Sequence, residues 1–119
     1  MKREPSPAFD REEEEMILDG IERFLERDVR PYVAELEAKD IYPEDIVTKM
    51  KELGLFGATI SAEYGGLGLT MEEECLLMFE LGRTSPAFRS VIGTNVGIGS
   101  QGIVMHGRQE QKEYWLPKI

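Results

Sequence analysis

The chain has 119 residues, a hydrophobic fraction of 41%, a charged fraction of 31% and a formal net charge of −9. This length predicts one domain with a core that forms without disulfides, and the single cysteine excludes a disulfide within the chain. The negative charge argues against nucleic acid or an anionic membrane surface as a partner, because both require a basic face. The sequence shows no secretory signal, membrane span or arginine-rich transit peptide, so we expect a cytoplasmic protein.

Residues 1–8 contain two prolines and few apolar side chains, which predicts a flexible N-terminal arm followed by one domain over 9–119. Asp10 is placed to cap a first helix. The apolar side chains of this helix recur at helical spacing, and Pro31 should kink or interrupt it. These apolar residues are Ile17, Ile21, Phe24, Leu25 and Val29.

A second helix is predicted from Pro43, because proline favours the first helical turn, to Gly54, which should terminate it. Its buried side is expected to carry Ile46, Val47, Met50 and Leu53. The stretch from Gly65 to Gly68 then has glycine at three of four positions. Its backbone must therefore turn tightly or lie close to another segment.

A third helix is predicted to begin at Thr70, because Thr70 and Glu73 have the spacing of a capping box. It is apolar on nearly all sides, so we expect it to lie at the centre of the fold. Cys75 lies among its apolar residues and is expected to be a buried, unreactive thiol.

Ser85 and Pro86 have the pattern of an N-cap and first turn, and predict a fourth helix that ends near His106. A short last helix is predicted at 109–115. The sequence contains no convincing strand pattern, so the predicted fold is all-α, a bundle of about five helices. His106 is the only histidine, and without a second histidine or a cysteine pair we predict no metal site.

Residues 97–102 match the spacing G-x-G-x-x-G of dinucleotide-binding loops. That loop follows a strand, whereas Ser85 and Pro86 indicate that a helix precedes these glycines. We therefore interpret the glycines as a small-residue face of the fourth helix, on which another helix or a ligand can pack closely.

Arg89 would lie near the end of the first turn of the fourth helix, where a cation opposes the helix dipole. Two interpretations follow from the residues alone. The arginine either extends into solvent toward a neighbouring glutamate, or it binds an anionic group with Ser90 as a second donor. We favour the first, because exposed arginines are common.

Several segments, in their order and spacing, together resemble the N-terminal helical domain of the acyl-CoA dehydrogenases. They are Tyr42-Pro43, Glu52-Leu53-Gly54-Leu55-Phe56-Gly57, Glu63-Tyr64-Gly65-Gly66-Leu67-Gly68, Phe79-Glu80-Leu81, and Glu110-Gln111-Lys112 leading to Leu116-Pro117. The resemblance covers about 15–119. Arg108 departs from it, because a helix-capping threonine or serine is usual there.

The resemblance implies an FAD-dependent enzyme that oxidises an acyl-CoA to a trans-2-enoyl-CoA. In such enzymes a glutamate removes the α-proton and the flavin accepts the β-hydrogen as hydride. An electron-transfer flavoprotein or a similar acceptor, and a homo-oligomer, most often a tetramer, are implied for the complete enzyme. The FAD-binding β-domain and the C-terminal catalytic domain are absent from this chain. We therefore assign no catalytic residue here and expect no FAD binding by this part alone.

The segment Phe88-Arg89-Ser90 is similar to an aromatic-Arg-Ser segment of glutaryl-CoA dehydrogenases, whose arginine and serine bind the far carboxylate of the acyl group. Gly82 departs from those enzymes, which carry an acid at that position. The resemblance implies that this helix lines one side of the acyl pocket. The implied substrate-binding residues are Arg89, Ser90, Val91, Thr94 and Ile98.

A function of another class stays open. A stand-alone helical module without flavin chemistry would bind a partner, or a second copy of itself, through apolar faces that other domains cover in the enzymes. The apolar ending at Ile119 favours the enzyme domain over this alternative.

Overall fold

The computed structural model describes residues 11–119, except the side chains of Arg11 and Glu14. The predicted arm at 1–8 and the predicted cap at Asp10 lie outside the described residues. Within the described range the chain is helical and contains no strand, which confirms the all-α prediction.

The described residues form seven α-helices, several of which continue directly into tighter or wider helical turns. Wide π-type turns at Leu25–Val29 and Thr94–Gly99 join consecutive helices into longer rods, so that the chain has five rods, as predicted. The α-helices are α1 (Arg11–Phe24), α2 (Val33–Lys39), α3 (Glu44–Glu52), α4 (Met71–Thr84), α5 (Pro86–Gly93), α6 (Gln101–His106) and α7 (Gln109–Trp115).

The first rod is interrupted at Pro31, as the sequence predicts. A π-type turn at Leu25–Val29 is followed by a 3-10 turn at Arg30–Tyr32, and Val29 leaves the helical region with φ −120° and ψ −58°. Proline has no N–H to donate and its ring crowds the preceding turn, which explains the irregular backbone. Leu25 and Val29 are nonetheless fully buried, so the interruption keeps its apolar side in the core.

The structure confirms most of the burial that the sequence predicts for α3. Val47 and Met50 are buried, and Gly54 follows the helix in the left-handed region with φ +77°. The prediction for Leu53 is wrong, because 40% of its surface is exposed. The left-handed glycine turns the chain inward one residue later, and Leu55 fills the core position instead.

The glycine-rich loop, residues 65–68, packs its backbone directly on the short segment 57–60. The Gly68 and Leu67 N–H groups donate to the carbonyls of Ile60 (2.8 Å) and Gly57 (3.1 Å). A Cβ added to Gly66 would lie 2.7 Å from the Gly57 oxygen and closer still to the Ile60 carbonyl. Glycine is thus required at this position by close approach, as the sequence predicts.

Helix α4 begins with the predicted capping box: the Thr70 hydroxyl accepts from the Glu73 N–H (3.4 Å), and the Glu73 carboxylate accepts from the Thr70 N–H (2.6 Å). The prediction that α4 lies at the centre of the fold is wrong. Leu77 and Leu81 are buried against the neighbouring helices, whereas Phe79 is 76% exposed.

The predicted burial of Cys75 is also wrong, because this thiol is exposed on the same outer side of α4. Helix α4 packs on α1 and α5, and within the described part of the chain no element covers its other apolar side. An apolar sequence on both sides of this helix therefore does not mean that both sides are buried by the described residues.

The fourth rod also follows its predicted course. Ser85 is the N-cap of α5, Pro86 occupies the first turn, and Gly107 ends α6 directly after His106. Gly97 and Gly102 both lie in this helical rod and no strand precedes them in the described chain, so the helical interpretation of the G-x-G-x-x-G spacing is confirmed. No helix in the described range is long and apolar enough to cross a membrane.

The close approach of Gly66 predicts a ranking of alanine substitutions. Gly66→Ala should lower the free energy of unfolding by about 3 kcal/mol or more, because backbone atoms of Ile60 and Gly57 occupy the space of the new Cβ. Gly65→Ala should cost about 1–2 kcal/mol, because Gly65 has φ +87° but open space around it.

Gly20→Ala is the matched control for this ranking. Gly20 lies within α1 with nothing within 4 Å of an added Cβ, so alanine should stabilise the protein by about 0.5–1 kcal/mol. Urea unfolding followed by circular dichroism gives all three values. Equal losses for Gly65→Ala and Gly66→Ala would contradict the close-packing account.

The uncovered side of α4 predicts that residues 1–119, produced alone, are helical but self-associate. Leu76 and Phe79 are 49% and 76% exposed, and Ile98 on the fourth rod is 87% exposed. Light scattering after size exclusion should show oligomers, and Phe79→Gln should raise the monomer fraction. A sharp, reversible melt of a monomeric species would be the opposite result.

Candidate functional site

The candidate site lies on α5 and the π-type turn that follows it, and Ser85 fixes where this rod begins. The Ser85 side chain is 2% exposed and accepts a hydrogen bond from the Ala87 N–H (3.3 Å). The same hydroxyl donates to Glu37 Oε1 at 3.0 Å, which ties the start of α5 to α2. Because α4 ends at Thr84, the one-residue junction also sets how α4 and α5 lie against each other.

The buried residues of the rod define which side faces outward. Phe88, Ile92 and Val96 are 5%, 0% and 1% exposed and pack into the core. Residues three to four positions apart share a helical face, so the remaining positions form a wide outer side. We call this outer side of 89–98 the α5 face.

The structure places Ser90, Thr94 and Ile98 on the α5 face, and all three are exposed. Val91 lies at one edge of the face and lines a small apolar cavity of about 180 Å³, whose opposite wall comes from α2 and the turn before α3. Arg89 lies at the other edge of the face. It is two positions before Val91, and two positions along a helix correspond to a rotation of about 200° around its axis.

Arg89 points into the groove between α4 and α5. A Cβ added to Gly93 would lie 3.3 Å from Arg89 Nη1 and 3.7 Å from Met78 Sδ. A Cβ added to Gly82 would lie 4.0 Å from Arg89 Cγ. The five predicted site residues therefore form one face bounded by an apolar edge at Val91 and a cationic edge at Arg89.

Arg89 differs from the other arginines of the described chain in having no carboxylate partner. Every other arginine whose side chain the structure describes forms an ion pair, whereas Arg89 forms no ion pair or side-chain hydrogen bond with the described residues. The pairs are Arg23–Asp19, Arg27–Asp28, Arg30–Glu26, Arg83–Glu80 and Arg108–Glu110.

This geometry bears on the two interpretations of Arg89. Arg89 is exposed, as the preferred interpretation expects, but no carboxylate among the described residues pairs with it. The guanidinium donors of Arg89 therefore have no acceptor among the described residues.

Sequence reasoning did not identify Gly93 as a neighbour of Arg89, or Met78 as a neighbour of Gly93. Gly93 lies four residues after Arg89, the spacing at which two helical side chains meet, so this signal was present in the sequence. Met78 lies on α4, and its approach to Gly93 depends on how the two helices pack, which the local sequence does not show.

The described residues also limit what other groups the site can hold. They contain no group of three or more His, Cys, Asp or Glu side chains that could hold a metal ion. The α5 face offers hydroxyls at Ser90 and Thr94, and Gly97 leaves open space where a Cβ would stand. These groups give the α5 face two hydroxyl donors and one open position at its outer side.

Comparisons with known proteins show the family of this domain. Residues 11–119 match the family described as acyl-CoA dehydrogenase, N-terminal domain. A probable acyl-CoA dehydrogenase of Bacillus subtilis (strain 168) is 37% identical over 109 residues, which is 91% of this chain and 18% of that protein. The (2S)-methylsuccinyl-CoA dehydrogenase of Cereibacter sphaeroides is also 37% identical over 109 residues, covering 91% of this chain and 20% of that protein.

A solved structure from a study of the electron transferring flavoprotein of Acidaminococcus fermentans and flavin-based electron bifurcation has a similar fold. Its TM-score is 0.82 at 31% identity, and the match covers 93% of this chain and 29% of the solved chain. The chain thus spans about a fifth of the two curated relatives and under a third of the solved chain. The agreement of sequence, fold and family model over nearly all described residues shows that the chain belongs to the acyl-CoA dehydrogenase family, as its N-terminal domain.

Proposed function

We propose that this domain forms one wall of the acyl-CoA site in an FAD-dependent dehydrogenase that converts an acyl-CoA to a trans-2-enoyl-CoA. The observation that carries the proposal is the α5 face, which combines exposed apolar side chains, two hydroxyls and an unpaired arginine. An exposed apolar helix face bordered by polar donors is typical of a surface that another body covers.

In this enzyme FAD would supply the acceptor for the β-hydrogen. The residues of this chain would bind and orient the acyl chain, exclude water from one side of it, and hold its far end. In this proposal no glutamate of the chain removes the α-proton. Glu73 is engaged as the cap of α4, and Glu80 forms an ion pair with Arg83, whose pKa is raised by that hydrogen bond.

We propose further that the substrate carries a second carboxylate, bound by Arg89 and Ser90. A carboxylate paired with a guanidinium and a hydroxyl forms charge-assisted hydrogen bonds, which are stronger than neutral ones. Val91, Thr94 and Ile98 would line the acyl chain between the carboxylate and the thioester. One relative is named for its action on methylsuccinyl-CoA, an acyl-CoA with a second carboxyl group, and this supports the proposed substrate class.

The partners of the complete enzyme are part of the proposal. An electron-transfer flavoprotein is the proposed acceptor, in keeping with the subject of the study that yielded the similar solved structure. A homo-oligomer, most simply a tetramer, would cover apolar surface such as that of Phe79. We place the enzyme in the cytoplasm, where a free exposed thiol such as Cys75 stays reduced.

The exposed apolar side of α4 favours a second candidate, a helical interaction module without flavin. The two functions differ in an observable property of the native gene product. A yellow protein longer than 119 residues that loses its colour on addition of an acyl-CoA supports the dehydrogenase. A colourless product of this length supports the interaction module.

The carboxylate subsite predicts a selective loss of activity in Arg89→Leu of the complete enzyme. A hydrogen bond to a charged group contributes roughly 1.5–3 kcal/mol, so kcat/KM for glutaryl-CoA should fall roughly 10- to 100-fold. Butyryl-CoA lacks the second carboxylate, so kcat/KM for butyryl-CoA should change little. Equal losses of kcat/KM for the two thioesters, measured side by side, would contradict the proposal that Arg89 binds the second carboxylate.

A further inference from the structure

The Arg89 side chain lies along a trough that two glycines leave open. Its stem passes Gly82 of α4, and its guanidinium ends beside Gly93 of α5. The Met78 sulfur also lies near Gly93, 3.7 Å from the position of a Cβ there. Any side chain at position 93 would point at the guanidinium, because residues four apart on a helix lie one above the other. The missing side chain at Gly93 is therefore what gives the guanidinium its resting place.

The two glycines leave different amounts of room. A Cβ at Gly93 would lie 3.3 Å from Nη1 and 3.4 Å from Cζ of Arg89, which is closer than ordinary van der Waals contact. A Cβ at Gly82 would lie 4.0 Å from Cγ, an ordinary contact distance. Alanine at 93 must therefore shift the charged end of Arg89, whereas alanine at 82 fits beside its stem.

Within the described residues, no hydrogen bond or ion pair holds the guanidinium in place. Arg89 has no carboxylate or carbonyl partner there that would restore its position after a shift. A guanidinium binds a carboxylate best through two parallel hydrogen bonds, so its placement matters as well as its charge.

We propose that Gly93 is a positioning residue that sets where Arg89 presents its guanidinium, and hence the selectivity for acyl-CoA substrates with a second carboxylate. This inference rests on the carboxylate subsite proposed above. Gly93 acts through Arg89 and carries no charge, so its substitution changes geometry without changing the electrostatic charge of the site.

The test uses the complete enzyme and compares kcat/KM for glutaryl-CoA with kcat/KM for butyryl-CoA. Gly93→Ala should lower this ratio several-fold, and Gly93→Leu should lower it by on the order of tenfold or more, since a 1 Å misplacement can cost about 10²-fold. Most of the change should appear as a higher KM for glutaryl-CoA. Gly82→Ala is the matched control and should keep the wild-type ratio.

Thermal unfolding separates this effect from damage to the fold. Alanine is a better helix former than glycine, so the Tm of Gly93→Ala should stay level or rise while the ratio falls. A ratio that falls equally in Gly82→Ala and Gly93→Ala would overturn the positioning role, because only Gly93 is close to the charged end.

The result for Arg89→Leu distinguishes the two proposals. If Arg89→Leu loses selectivity while both Gly93 variants keep the wild-type ratio, the carboxylate subsite stands and the role of Gly93 is overturned. If Arg89→Leu leaves the ratio unchanged, the carboxylate subsite fails and the inference about Gly93 fails with it.

Discussion

The fold depends on how the short segment 56–60 satisfies its backbone carbonyls. The Gly57, Ala58 and Ile60 carbonyls accept from N–H groups at 67–69 of the glycine-rich loop and its exit. On the other side, the Phe56 carbonyl accepts from Asn95 Nδ2 at 2.9 Å. Buried backbone groups must find partners, so this one segment holds together the loop before α4 and the rod that carries the α5 face.

This arrangement explains why the candidate site can be rigid while facing outward. The Thr94–Gly99 turn has the wide π-type geometry, and its Asn95 and Val96 are fixed by a hydrogen bond and by burial, respectively. Wide helical turns of this kind are frequent at functional sites, because they change which side chains a helix presents. A helix anchored on its inner side can present Thr94 and Ile98 without support from its outer side.

Much of the fold follows from local sequence signals, and the capping box at Thr70, the cap at Ser85 and the interruption at Pro31 are examples. Each of these depends on residues within one turn of each other, so the sequence contains the whole interaction. Burial was harder to predict. The exposure of Leu53 and Cys75 depends on which neighbours the rest of the chain provides. The spacing of apolar residues cannot distinguish a helix face that is buried in the core from one that stays exposed in this domain.

The candidate site shows the same division. A family resemblance suggested the residues of the α5 face, and their role stays a prediction. The lack of a carboxylate beside Arg89 was not predictable, because it depends on the positions of all the acidic side chains. The chain carries 23 acidic residues, and none among those described reaches Arg89. A strong negative background of this kind discourages anions from binding where no unpaired cation such as Arg89 is present.

The exposed thiol of Cys75 gives the outer side of α4 its own chemical reporter. It is the only cysteine of the chain, and it lies beside Leu76 and Phe79 on the side that no described element covers. A maleimide or disulfide reagent therefore reacts at one place, and its rate measures how much of that surface is open. If alkylation of Cys75 slows when the protein assembles with a partner or with further copies, the assembly covers this side of α4.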